Sequence, residues 1–569
     1  MKNIFKFTAV SLAMMAGVTS CIQEIEPQGQ DNLVSADQAA NAPGAFDNFV
    51  SAVTGSLTGS YIYSPSNQYP WDFGMPSLWI QRDIMGQDML PGYMTGSEWY
   101  QSWYSCGGYL TSDGGYGSYL SWLFYYTWMN NCNTVTRLAG YNTTERNADA
   151  IEPGMAKGVA TALAIRALCN LEMAQIYATE TYTKNANALT VPIVTEATPS
   201  SELANNPRVP AKDLFELVLG DLDDAAKLLG DFNPTDKSQI GINVVNGLKA
   251  RAYLVMGDYD NALTFATKVI NAGYGVQTPD QILSKTDGFN TANQGWVWYI
   301  AQKSSDACLM TNDCDSSWGS QMIIECSGHG CGYSGNYVGA KRIDKHLYNC
   351  IAESDYRKMQ FIDFAIDELG SDEEIEQALE AYTGRDASGA IAIAYGGWYN
   401  TDLGGTPVKF RPKGGNYDDQ YSGFCTDIPA MRIEEMILIA AECTVRKGGQ
   451  LSSLACYKDY IENRYDGGWA AYEASSSSIN LNTVDEIWMQ RRIELWGEGF
   501  ATFDLKRLGK GIIRNYAGTN HPEGYRWNTN DVPNWMTLLI TSDEANYNEG
   551  IEQNPTPQKP TADSPEYQW

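Results

Sequence analysis

The sequence predicts a mainly α-helical fold of paired helices forming a right-handed scaffold, with long irregular loops and short strands packed against it. Three observations predict it. Residues 250–266 carry Tyr253-x-x-x-Gly257-Asp258-Tyr259-x-x-Ala262, a tetratricopeptide-like pattern in which the glycine ends one helix and small residues let the next approach closely. Other segments place apolar residues at i, i+3, i+4 and i+7, the spacing of one helix face. Residues 60–117 and 285–425 lack that spacing and are rich in Gly, Ser, Asn, Tyr and Trp, a composition of loops and short strands.

In chain order, Lys2 and Lys6 precede an apolar run over residues 7–18 that is too short to span a bilayer and has the form of a secretory h-region. Residues 1–20 therefore read as a signal peptide. The run ends in Val18-Thr19-Ser20-Cys21, which resembles a bacterial lipobox and makes Cys21 the lipidated mature N-terminus. Residues 21–45 form the lipidated end and a polar tether, and residues 46–569 a single globular body with parts at about 46–280 and 281–569. Helices are predicted over 118–138, 155–177 and 211–229, followed by the hairpin at Gly257. Trp296 and Trp298 share one face of a strand and read as core. Residues 431–445 place Ile433, Met436, Ile437, Ala440 and Ala441 on one helix face, leaving Arg432, Glu434, Glu435 and Glu442 off it. Thr483 and Glu486 have the spacing of a capping box, and Arg491 and Glu494 that of an i,i+3 ion pair.

Composition excludes some partners. The formal charge is -29, from 39 basic and 68 acidic residues, which repels nucleic acid phosphates and anionic head groups. Without Cys21, eleven of the 12 cysteines remain, an odd number that leaves a thiol unpaired in a monomer. Cys132, Cys169 and Cys443 fall in helical patterns as small buried hydrophobes. Cys308, Cys314, Cys326 and Cys331 cluster in a glycine- and serine-rich stretch, where one or two disulfides would stiffen a loop. A zinc site with His329 is the rival reading, but the C-x5-C and C-x4-C spacings are wider than zinc knuckles, so no metal is expected. Histidine occurs only at 329, 346 and 521. No H-E-x-x-H, G-x-S-x-G or phosphate-binding glycine loop is present. No catalytic residue or cofactor is therefore expected, although two carboxylates suited to a glycosidase could be found among 68 by residue type alone.

Several motifs, in order, resemble the SusD/RagB family of nutrient-binding lipoproteins. Asp427-x-Pro429-x-x-Arg432, continuing to Ala441-Glu442, looks like the family's signature helix. Arg491-Arg492-x-Glu494-Leu-x-x-Glu498-Gly499-x-x-x-Phe503-Asp504-Leu505-x-Arg507 is similar to its second one. Trp128 to Asn131, Thr190-Val-Pro192, Arg208 and Glu552-Gln553-Asn554-Pro555 also fit. The acidic start Gln23, Glu24, Glu26 resembles the export signal of Bacteroidetes surface lipoproteins. The resemblance implies a non-enzymatic subunit on the outer membrane, facing the exterior, that captures oligosaccharide or polysaccharide and acts as lid of a SusC-like TonB-dependent transporter. A RagB-like oligopeptide-binding subunit is the alternative. The family's ligand contacts lie in irregular segments, so Arg432, Glu494, Glu498 and Asp504 read as structural.

Sugar binding needs flat apolar faces for pyranose C–H groups and polar groups aimed at hydroxyls. Trp318, Tyr333, Asn336 and Tyr337 sit among glycines and serines where no stripe demands them, and are the preferred contacts. Trp71, Asp72, Trp99 and Trp103 are the second set, with packing of the 99–104 run into the core an equal reading. Cys21→Ala is predicted to leave the fold intact and release the protein into the soluble fraction. Membrane fractionation without a partner transporter checks this, and continued partitioning with the membrane would count against lipidation.

Overall fold

The computed structural model describes residues 44–59, 69–92, 94, 99–310, 314–325, 332–334, 340–384, 402–475 and 480–569. It is 51% helix and 5% strand. Helix α1 (Ala45–Gly55) precedes α2 (Met75–Ile84) and the two-residue strand β1 (Met89–Leu90). The central helices are α3 (Tyr116–Leu138), α4 (Ala156–Tyr177) and α5 (Ala211–Leu229). α4 packs against both α3 and α5. Nearly every side chain of α4 is buried, because its alanines and one glycine let neighbours approach from all sides.

The hairpin of α6 (Ile242–Met256) and α7 (Tyr259–Ile270) forms as the glycine pattern predicts. Gly257 sits at φ 76°, the left-handed conformation that ends a helix without a Cβ penalty. Asp258 caps the next helix by accepting from the Asn261 amide at 3.1 Å. Ala262 and Ala266 are fully buried at the helix contact.

Strand β2 (Trp296–Ala301) leads through β3 (Arg342–Ile343) and α8 (Asp372–Thr383) to β4 (Asp427–Arg432) and α9 (Ile433–Arg446). β1 pairs with β3 and β2 with β4, both antiparallel, in separate two-stranded sheets. Trp296 and Trp298 are buried as read. The helix predicted from residue 431 begins two residues later, because Met431 and Arg432 are held in β4 opposite Trp298 and Trp296. The chain then forms α10 (Ala455–Glu462), α11 (Gly468–Ser475), α12 (Val484–Glu494) and α13 (Ala501–Leu508).

Among the described residues, two helices of ten or more residues lie inside stretches read as irregular. All ten residues of α2 are buried, so it has no polar face and no periodicity to detect. The other, α8, is mostly exposed and begins at Ser371, whose hydroxyl accepts from the Glu374 amide. The capping reading at α12 is half met. Thr483 accepts from the Glu486 amide at 3.2 Å, but the Glu486 carboxylate turns inward to Tyr472 and Gln490. The expected Arg491–Glu494 pair does not form. Arg491 instead pairs with Asp504 at 2.7 Å, and Glu494 faces three other arginines.

Those arginines form the densest polar network in the described core. Arg432 contacts Glu434 at 3.0 Å, Glu494 at 2.9 Å and Glu498 at 2.8 Å. Arg464 joins Glu434 at 3.0 Å and Glu494 at 2.8 Å. Arg357 reaches Glu494 at 3.2 Å and Asp355 at 2.6 Å, and Lys409 reaches Glu498 at 2.7 Å. Every one of these residues is buried. The carbonyls at the end of α4 are satisfied by distant side chains. Arg208 and Asn554 donate to the Tyr177 carbonyl at 3.0 and 2.9 Å, and Lys506 donates to those of Gln175 and Ala178. Cations there also complement the helix dipole.

Burial alone would push the Glu494 carboxyl up, yet Arg464, Arg432 and Arg357 hold it well below the usual range. Glu498 is lowered likewise by Arg432 and Lys409. Both folded pKa values lie below the unfolded value of 4.5, so their stabilisation is complete above that pH and is lost as pH falls through the folded values. Acid denaturation monitored by circular dichroism is therefore expected to begin below about pH 4.5. Glu494→Gln should flatten that acid slope while costing about 3–5 kcal/mol at neutral pH through unpaired buried arginines. An unchanged slope would contradict this account.

Candidate functional site

Aromatic side chains from four separate segments converge beside α2 and α3. Tyr69 and Trp71 stack with centroids 4.8 Å apart and 9° between planes. Trp99 meets Tyr69 edge-on at 5.7 Å, and Tyr333 meets Trp99 edge-on at 6.5 Å. Tyr116 lies 4.8 Å from Trp71 and 5.1 Å from Tyr109, which in turn meets Trp103 at 5.6 Å. Trp71 and Trp103 are buried beneath the cluster, whereas Tyr69, Trp99, Tyr109, Tyr116 and Tyr333 are half-buried at its rim.

Local sequence explains the approach of the rings. A Cβ at Gly117 would lie 2.5 Å from the Tyr109 carbonyl oxygen, and one at Gly115 2.7 Å from it. Only glycine lets the start of α3 come this close to the preceding turn. Ser77, on α2, donates to the Trp71 carbonyl and contacts the Tyr100 hydroxyl at 3.0 Å. Tyr333 donates its backbone N–H to Ser320 at 2.9 Å. Burial and the neighbouring Tyr116 and Tyr69 push the Tyr109 hydroxyl up, so it is a neutral donor at physiological pH. The basin offers flat rings at varied angles with phenol hydroxyls among them, which suits a ligand with C–H faces and hydroxyl groups.

The structure brings together Trp71, Trp99, Trp103 and Tyr333 from the two predicted sets. Trp99 and Tyr333 reach the rim. Trp71, Asp72, Trp103 and Trp318 are fully buried and present no open face. Asn336 and Tyr337 lie outside the described residues. Trp318 packs edge-on against Trp79 at 6.5 Å and Phe410 at 5.2 Å, partners from distant segments that no local stripe reveals. Tyr69, Tyr109 and Tyr116 belong to the rim but were not singled out from the sequence. Tyr109 and Tyr116 stand beside glycine pairs, the signal that had picked out Tyr333. Cys308 is a buried free thiol and Cys314 lies 3.1 Å from the Leu309 carbonyl oxygen, so these two do not pair with each other. Cys326, Cys331 and His329 lie outside the described residues. Cys132, Cys169 and Cys443 are buried thiols as read.

Trp318→Ala is expected to cost about 3–5 kcal/mol, the range for emptying a tryptophan site in a core. Denaturant unfolding checks this. A stability change under about 1 kcal/mol would place the ring outside the core.

The family model described as the SusD family matches residues 336–566, a span that holds both signature segments. No curated protein matches the chain. Among solved structures, the chain is similar to a SusD-like carbohydrate binding protein from Bacteroides vulgatus, with 20% identity and a TM-score of 0.64 over 89% of this chain and 97% of that one. A SusD superfamily protein from Bacteroides thetaiotaomicron gives 18% and 0.65 over 90% and 99%. Surface glycan-binding protein A from Bacteroides thetaiotaomicron gives 19% and 0.62 over 90% and 98%. Residues 336–566 thus match the sequence model of the SusD family, and 89–90% of the chain shares the fold of the SusD-like structures.

Proposed function

We propose that this protein is a cell-surface glycan-binding lipoprotein, anchored through Cys21, that captures oligosaccharide and delivers it to a SusC-like TonB-dependent transporter as its lid. The observation that carries the reading is the half-buried aromatic basin set in a SusD-type fold. Two of the structures sharing that fold bear names that describe carbohydrate or glycan binding. Trp99 and Tyr333 are the proposed ring contacts, with Asn336 and Tyr337, which follow Tyr333 in the chain, supplying further contacts. Trp71 and Trp103 support those rings from beneath. A charge of -29 favours neutral glycans over uronate-rich ones by simple repulsion. The reading is of capture without turnover, as the family resemblance implies.

A glycan array and affinity electrophoresis on amylopectin, barley β-glucan, arabinoxylan and galactomannan test the reading. Trp99→Ala and Tyr333→Ala should each weaken binding by about 1–3 kcal/mol, roughly 5–150-fold, as for other aromatic stacking contacts. Melting temperature should fall less than in Trp318→Ala, because both side chains are only partly buried. Wild-type protein that binds no glycan but retains oligopeptides would move the function to peptide capture, and release of reducing ends from a bound glycan would make it an enzyme.

A further inference from the structure

A second ring platform lies in the C-terminal segment and shares no residue with the basin. Trp569 is the single exposed tryptophan among the described residues, at 65%, and its neighbour Tyr567 is 41% exposed. The indole lies on the His346 imidazole with centroids 3.4 Å apart and planes within 3°. Tyr567 buttresses it edge-on at 4.9 Å and Tyr516 tilts toward it at 6.2 Å. One indole face is thus backed by a parallel ring while the opposite face is open.

The platform is held rigidly. The His346 amide donates to the Tyr516 hydroxyl at 3.0 Å, and that hydroxyl donates to Asp344. Asp344 in turn caps the short helix carrying His346 by accepting from the Leu347 amide at 2.9 Å. The terminal segment is pinned at Tyr567, whose amide donates to the Asn515 carbonyl at 2.8 Å, and at Ser564, whose amide donates to the Arg526 carbonyl at 3.0 Å. Burial lowers the His346 pKa below 6.5, so the imidazole is neutral at physiological pH and stacks as a flat ring.

We infer that the open indole face of Trp569, flanked by Tyr567, is a second sugar-stacking site that engages a long glycan chain in addition to the basin. The inference rests on the proposed glycan ligand. Size selects the occupant. A protein interface buries about 800 Å² per partner, while one or two aromatic side chains offer roughly 150–250 Å² each, enough for a single sugar ring. A chain touching both sites gains by effective concentration, whereas a fragment of a few units meets one site at a time.

The test uses whichever of amylopectin, barley β-glucan, arabinoxylan or galactomannan retards the wild type, together with its short oligosaccharides. Trp569→Ala is expected to weaken polymer binding roughly tenfold. It should leave short-oligosaccharide affinity and melting temperature unchanged, and Trp569→Tyr should restore most of the polymer binding. Polymer affinity in Trp569→Ala equal to that of the wild type overturns the inference. Loss of binding in Trp569→Ala with none in Trp99→Ala and Tyr333→Ala would support the platform and sink the basin. A wild type retarded by none of the four polymers overturns both.

Discussion

Arg432 is the residue on which the frame depends. Its guanidinium is surrounded by Glu434, Glu494 and Glu498, with Gln277 at 3.1 Å and the Glu494 carbonyl at 3.0 Å taking remaining protons. Such a cluster adds little net stability over a well-packed apolar core, but breaking one member strands the rest in low dielectric. Its consequence is geometric. The network locks the start of α9, the end of α12, the turn after α12 and the Arg357 segment into one arrangement, because each charge has a single set of partners.

From that frame a second tier of contacts carries the early irregular segment. Arg492, adjacent in sequence to Arg491, holds Asp88 with a forked guanidinium contact, and Trp496 donates its indole N–H to the Asp88 carbonyl at 2.8 Å. The amides of Gly499 and Ala501 donate to Asp83 at 2.9 and 3.0 Å. Arg514 donates to the carbonyls of Met85, Gly86 and Tyr104. The segments that link the rings in sequence, α2 between Trp71 and Trp99 and Tyr104 directly after Trp103, are thus positioned by the C-terminal part of the chain. A loop-borne site gains precision when its backbone is tied to a rigid element in this way.

This division explains what could be read from the chain. The helix at 211–229 and the hairpin at Gly257 were legible because each is a local rule, a stripe and a left-handed glycine, whereas the structural role of Arg432 and Glu494 was implied by the family resemblance. Helix α2 was not legible, since a helix buried on every side has lost the polar face that makes periodicity visible. The Arg491–Glu494 pair failed for a related reason. Spacing allows an i,i+3 contact, but buried charges go to whichever partners complete their hydrogen bonds: for Glu494 these came from β4, the turn after α10 and the Arg357 segment, and for Arg491 from α13.

The aromatic residues show the same limit at the site itself. Trp318 and Tyr333 stand in similar glycine- and serine-rich surroundings, yet one lies under Trp79 and Phe410 and the other reaches the rim. Nothing local separates them, because burial is decided by which distant segment arrives on top. A tryptophan without a stripe therefore marks only that its packing partner, protein or ligand, is remote in sequence. Both backbones are anchored by a serine. Tyr333 has its backbone fastened by Ser320, which leaves the ring to reach outward against Trp99. Trp318 opens a short helix capped by Ser317, all of whose side chains turn into the core. Which ring stays available to a ligand is therefore a property of the assembled frame.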